Sequence, residues 1–153
     1  MAEERQLLTD IRLHLQQASL RPVYEIATQE RRVVTDRGLR RLTDFATVSG
    51  RDNLAQAILM RLLTPRGELA ALAHPEYGSR LHELIGRPNT ASTRSLARLF
   101  VLEALQREPR IEKIADIQVE ATPGARDRID IRLQVKPIGA SAALTLGPFS
   151  LEL

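Results

Sequence analysis

The sequence predicts an α+β fold, with buried helices followed by a small antiparallel sheet. Two stretches carry that expectation. Residues 53–63 are almost wholly apolar over a helical length, and residues 129–136 alternate apolar and polar side chains with period two. Helices gathered ahead of strands, rather than alternating with them, point to α+β and away from a parallel α/β sheet. At 153 residues the chain has the size of one domain with one core.

Composition narrows the chemistry. Hydrophobic residues make up 43% and charged residues 27%, a globular balance rather than a disordered one. Aromatics are only 3% and tryptophan is absent, so the core has to be built from Leu, Ile, Val and Ala. With no cysteine, disulfides, thiolate catalysis, Cys-based zinc sites and iron–sulfur clusters are excluded. Residues 1–5 are charged and polar, and no apolar run reaches the length of a signal peptide or a membrane span. Synthesis and folding in the cytoplasm are therefore expected. Net charge is +3 and Lys113 and Lys136 are the only lysines, so nearly every cation is arginine. Arginine forks suit carboxylates at protein interfaces and phosphates alike, and biased genome composition would give the same usage.

Taken in order, residues 1–43 read as an N-terminal extension or arm, and 44–153 as the domain proper. Leu7, Leu8, Ile11 and Leu15 fit a helical stripe, while Ile11, Leu13 and Leu15 fit strand alternation equally well. Pro22 breaks the pattern, and residues 23–26 suit a short strand. Arg31, Arg32, Arg37, Arg40 and Arg41 make 30–41 basic, and a solvated loop or arm is expected there. Ser49 or Asp52 can cap the helix at 53–63, which is apolar on nearly every side and so belongs at the centre of the core. A turn at 64–67, a short extended piece to Ala73 and a second turn at 74–78 lead to a short helix at 79–85.

A second long helix, about 94–107, has Asn89, Ser92 or Thr93 as its cap and Leu96, Leu99, Phe100 and Leu102 on its apolar side. Pro109 stops it. Ile117 and Val119 open the strand region, and Pro123-Gly124 turns it. Ile129, Ile131, Leu133 and Val135 form the buried face of the next strand. Leu144 and Leu146 share one parity and Phe149, Leu151 and Leu153 the other, so a bulge is expected at Gly147-Pro148.

Little in the chain resembles catalytic or ligand-binding machinery. His14, His74 and His82 stand in no metal-ligand spacing, and no phosphate-binding glycine loop or nucleophile elbow is present. No cofactor or metal is expected. Glu103 with Glu108 or Asp116 could be imagined as a glycosidase pair, yet Glu103 is more simply a helical partner of Arg107. The arginines of 31–41 have only Phe45 nearby for stacking, so a partner-binding arm suits them better than nucleic acid.

Glu108-Pro109-Arg110 is unusual. A glutamate in the last helical turn faces the negative end of the helix dipole, where cations are favoured. Pro109 then holds two opposite charges at a rigid corner. That arrangement fits a docking contact or a local salt bridge equally well. As exposed charges, their loss is expected to cost stability only of order 0–1 kcal/mol per pair.

The run from Val48-Ser49-Gly50-Arg51-Asp52-Asn53-Leu54 through Thr64-Pro65-Arg66-Gly67-Glu68-Leu69 resembles the baseplate wedge, or sheath-initiator, proteins of contractile-tailed phages. The TssE-like component of type VI secretion and its counterpart in extracellular contractile injection particles belong to the same family. His74-Pro75-Glu76-Tyr77-Gly78, Glu103-Ala104-Leu105, Glu108-Pro109-Arg110-Ile111 and Val135-Lys136-Pro137-Ile138-Gly139 continue the resemblance over about 44–153.

The resemblance implies a structural baseplate component rather than an enzyme, with a domain like the handshake part of sheath subunits. It implies that several copies join the wedge core bundle to the first sheath ring of a sixfold baseplate and start sheath assembly. Glu108, Pro109 and Arg110 would contact the baseplate, and the strands carrying Ile129, Ile131, Leu133, Val135, Leu144, Leu146, Phe149 and Leu151 would template the sheath. After cytoplasmic synthesis the chain would become part of a phage-tail-like particle. No nucleic-acid partner and no membrane span are expected. Some members of this family have been described as lysozymes, which makes peptidoglycan cleavage the alternative reading.

Overall fold

A computed structural model describes residues 7–15 and 24–153, with the backbone alone for Leu15 and Tyr24. The charged segment 1–5 and the break at Pro22 lie outside the described residues, as does Val23 of the expected strand. In chain order come β1 (Thr9–Ile11), β2 (Leu13–Leu15), β3 (Tyr24–Ile26), β4 (Thr28–Thr35), β5 (Gly38–Phe45) and β6 (Thr47–Ser49). Helices α1 (Gly50–Leu63) and α2 (Ala91–Leu105) follow, then β7 (Ile111–Ala121), β8 (Arg128–Pro137) and β9 (Leu144–Glu152). The architecture is α+β.

The C-terminal sheet is antiparallel with order β7-β8-β9. Period-two alternation sends Ile129, Ile131, Leu133 and Val135 of β8 into the core, while Arg132 and Gln134 stay exposed on the far face. Ile117 of β7 and Phe149 and Leu151 of β9 complete the buried side. Between the pairs Ile131–Phe149 and Leu133–Leu146, the single residue Arg132 on β8 faces two on β9, Gly147 and Pro148. The bulge therefore falls at Gly147-Pro148, as the change of parity predicts.

Both helices lie against this buried side. In α1, Leu54, Ile58, Leu59 and Leu62 are buried, each contributing roughly 1.5–3 kcal/mol if fully removed from water. Its N-cap is Ser49, so the helix begins at Gly50, three residues before the expected start. In α2, the cap is Thr90, whose Oγ1 accepts from the Thr93 N–H at 3.2 Å. The buried side of α2 is Ala97, Phe100, Val101, Ala104 and Leu105, whereas Leu99 is exposed and Leu96 and Leu102 are only half-buried. Two alanines let the helix approach the sheet closely, and a count of leucines misses that side. The expected extended piece at 67–73 is instead a turn with a 3-10 segment at Ala70–Leu72, where Ala73 closes in the left-handed region at φ +65°. The short helix at 79–85 is a 3-10 turn, Leu81–Leu84.

The N-terminal stretch takes its strand reading. β1 and β2 form one bent strand broken at Arg12; β3 and β4 break at Ala27, and β5 and β6 at Ala46. Each bent strand pairs with the other two, as β1–β6, β2–β3 and β4–β5. The three breaks close a ring of backbone hydrogen bonds: Arg12 N–H to Ala46 C=O at 2.8 Å, Ala46 N–H to Ala27 C=O at 2.9 Å, and Ala27 N–H to Arg12 C=O at 2.9 Å. Groups that an interrupted ladder would orphan are thus paired.

Polar residues on α1 hold this three-way hub in place. Gln56 accepts from the Leu13 N–H at 2.9 Å and donates to the Ile11 carbonyl at 2.8 Å, while buried Asn53 donates to the Leu7 carbonyl at 2.9 Å. The solvated loop expected at 30–41 is instead the β4–β5 hairpin, turned by Asp36-Arg37 with Gly38 at φ +106°. Its density of arginine hid the β-branched run Val33-Val34-Thr35 and the turn that follows.

Candidate functional site

The corner after α2 is built around a buried carboxylate. Glu108 is 4% exposed, correcting the expectation of an exposed charge. Its Oε2 meets Arg61 Nη2 at 3.3 Å and its Oε1 accepts from Arg110 Nε at 2.6 Å. Arg61, itself 8% exposed, comes from the polar side of α1 and lays its guanidinium 4.5 Å from the Tyr77 ring centre. Burial pushes the Glu108 carboxyl upward, but the Arg110 hydrogen bond and the charges of Arg110 and Arg61 outweigh it and hold the carboxyl below its ordinary value. Burial raises the Tyr77 phenol, with the Arg61 charge opposing. The local salt bridge, one of the two readings open from sequence, is therefore present.

The chain reaches this geometry by two tight turns. Ser79 donates from its N–H to Thr64 C=O at 2.8 Å and accepts from Arg66 N–H at 2.8 Å, bridging the end of α1 to the Tyr77 loop. Gly78, at φ +104°, lets that loop in: a Cβ there would stand 2.4 Å from the Thr64 carbonyl oxygen. Beyond the corner, the Ile111 N–H bonds to Glu108 C=O at 3.1 Å and β7 begins. Arg110 remains partly accessible and lines a groove with Tyr77, Met60, Ile11 and Ile26, between α1 and the N-terminal strands. Pro109 is exposed at the bend. Sequence reading missed Arg61 and Tyr77 as members of this cluster. The one available signal was a lone arginine within an otherwise apolar stretch of helix.

The residues expected to meet the sheath divide between two strands. Ile129, Ile131, Leu133 and Val135 sit on β8, which is paired on both sides, so no further strand can be added beside it. Leu144, Leu146, Phe149 and Leu151 sit on β9, at the edge, and among the described residues no strand pairs with its outer side. All eight side chains point toward the core or are half-buried against it, so β9 would offer its backbone. The opposite edge, β7, is broken by two register shifts and carries Glu112, Lys113, Asp116 and Glu120. Such irregularity and charge protect an edge. Residues 144–151 carry no charge at all. Beside Leu151, a mainly apolar groove opens between Leu63, Pro65 and Ile85, the last 65% exposed, with Glu68 and His82 also on its wall.

The family model for the contractile injection system sheath initiator matches residues 23–137. The chain belongs to the sheath-initiator family. That match starts within the stretch read as an extension and takes in the hairpin, both helices, the Glu108 corner and β8. Among solved structures, this initiator is similar to a Geobacter sulfurreducens protein named, provisionally, a tail lysozyme. Identity is 23%, the TM-score is 0.57, and the match covers 67% of this chain and 89% of the other. At that identity the likeness shows a shared fold. No curated protein sequence matches. The family is a structural one, and no group of three His, Asp or Glu among the initiator's described residues could hold a metal ion. No helix among them is long and apolar enough to cross a membrane.

Proposed function

We propose that this sheath initiator works as a structural adaptor rather than an enzyme, starting sheath assembly by offering the outer edge of β9 to a strand from the first sheath subunit. The observation that carries the reading is the contrast between the sheet's two edges. β7 is bulged and charged, whereas residues 144–151 of β9 are uncharged and flanked by the mainly apolar groove at Leu63, Pro65 and Ile85. An added strand gains affinity from main-chain hydrogen bonds and specificity from pockets for alternate side chains, and the groove supplies such a pocket. The bulge at Gly147-Pro148 divides the edge into two short stretches, so pairing is centred on one side of it.

Arg110 and its groove, which shares Met60 with the groove beside Leu151, would face the wedge core of the baseplate. Glu108 serves there as the buried group that fixes the direction of Arg110. Pro109 sets the bend. Several copies around a sixfold baseplate would give the sheath its first ring. The direct experiment is polymerisation of purified sheath subunits with and without the initiator. A shortened lag supports the reading, and an unchanged lag at any initiator concentration contradicts it.

A further inference from the structure

The β4–β5 hairpin projects from the three-way hub, and among the described residues nothing packs closely beneath it: every residue is exposed except Val33, which is half-buried. A lone two-stranded hairpin is marginal in water. This one nevertheless displays a patterned face. The cross-strand pair Val34 and Leu39 stands near the tip, 81% and 64% exposed. One step inward on the same face, Arg32 lies directly opposite Arg41. Like charges facing across a ladder destabilise it. Glu30 reaches Arg41 at 3.6 Å, and among the described residues no carboxylate pairs with Arg32.

We propose that this face is a docking arm for an acidic protein surface in the assembled particle. Carboxylates of the partner pair with Arg32 and Arg41, and an adjacent apolar notch seats Val34 and Leu39. Docking would then relieve the repulsion between the two guanidiniums and bury the apolar pair in one step. Arginine's planar fork favours carboxylate pairs of this kind. Nucleic acid fits less well. Glu30, Asp36 and Asp44 are interspersed among the arginines, the tip pair gains nothing from phosphate, and within residues 28–45 Phe45 is the one aromatic ring. The inference rests on the sheath-initiator reading only in looking for the partner within the particle, and it does not involve β9.

The test places a benzophenone amino acid at Leu39 of the full chain in cells that assemble the particle. Illumination should attach the initiator to a particle protein, within a segment rich in Asp or Glu. Arg32→Glu with Arg41→Glu should lower that yield by about tenfold or more, the scale of lost charge pairing at an interface. Arg32→Gln with Arg41→Gln, which removes the repulsion as well as the charge, should lower it too and decides the matter if the reversed variant melts early. Crosslinks to nucleic acid, crosslinks to another copy of this chain, or a yield unchanged in the Gln variant would overturn the arm. Absence of the wild-type chain from particles would instead overturn the adaptor reading itself.

Discussion

Arg61 and Glu108 meet at 3.3 Å inside the protein, tying the last turn of α1 to the corner that follows α2. Both side chains are nearly buried, and the Arg61 charge joins Arg110 in holding the Glu108 carboxyl below its ordinary value. Arg61 retains the Tyr77 ring if Glu108 is lost, but a ring face does not neutralise a buried cation. Breaking a buried pair by removing one partner typically costs about 3–5 kcal/mol. Glu108→Ala should therefore destabilise by about 3 kcal/mol or more, far beyond the value expected for exposed charges. Arg110→Ala, whose side chain is partly in water, should cost about 1–2 kcal/mol. Urea unfolding of the two single variants measures both.

The same carboxylate sets an acid dependence. Its folded-state value lies below the ordinary 4.5, so folding favours the deprotonated form. The stability it contributes is complete above about 4.5 and is lost as pH falls through the lower folded value. Thermal melts of wild type and Glu108→Gln should differ most near neutral pH, and the gap should narrow in acid. A gap that instead widens as pH falls from neutral toward 4.5 would mean that folding favours the protonated carboxyl.

Two glycines with similar backbone angles should behave differently. Gly78 at φ +104° and Gly86 at φ +84° both lie where a side chain is strained, but only Gly78 is crowded. A Cβ added there would meet the Thr64 carbonyl oxygen at 2.4 Å and the Pro65 carbonyl carbon at 2.9 Å, whereas one added at Gly86 meets nothing within 4 Å. Gly86→Ala should cost about 1–2 kcal/mol, the left-handed penalty alone. Gly78→Ala should cost clearly more and loosen the Tyr77 loop, visible as faster amide exchange at Ser79 and Arg66.

Where periodicity alone decides structure, the sequence was readable. Ile129, Ile131, Leu133 and Val135 announce β8, and the parity change at Gly147-Pro148 announces the bulge. What stayed hidden depends on contacts distant in sequence. Strand rather than helix at 11–15 depends on Gln56, more than forty residues away, which bonds both flanks of the Arg12 break. The buried state of Glu108 depends on Arg61, and nothing local to Glu108-Pro109-Arg110 reveals it. The corner was recognised as a charged device, but its direction, inward for Glu108 and outward for Arg110, exists only in the folded chain.

Peptidoglycan cleavage is not expected. Glu108, a candidate acid from sequence, is committed to two arginines, and Asp116 lies on β7 within hydrogen-bond reach of Gln118. Purified protein incubated with peptidoglycan should release no more soluble sugar than a heat-killed control. Release abolished by a single carboxylate substitution would overturn the structural role.

The most direct measurement of the central claim uses the alternation of β9. The Leu153 N–H donates to Asp127 C=O at 2.7 Å, so the odd residues Leu151 and Phe149 turn their backbone toward β8 and Ser150 turns its own to the open side. Proline removes a ladder donor. Leu151→Pro should therefore damage the monomer, while Ser150→Pro should leave its melt close to that of Ser150→Ala, the control for the lost Ser150–Asp130 side-chain bond at 2.7 Å. In the sheath polymerisation assay, Ser150→Pro should abolish the shortened lag that Ser150→Ala retains. If folded Ser150→Pro seeds sheath as well as Ser150→Ala does, the β9 edge is not where the sheath begins.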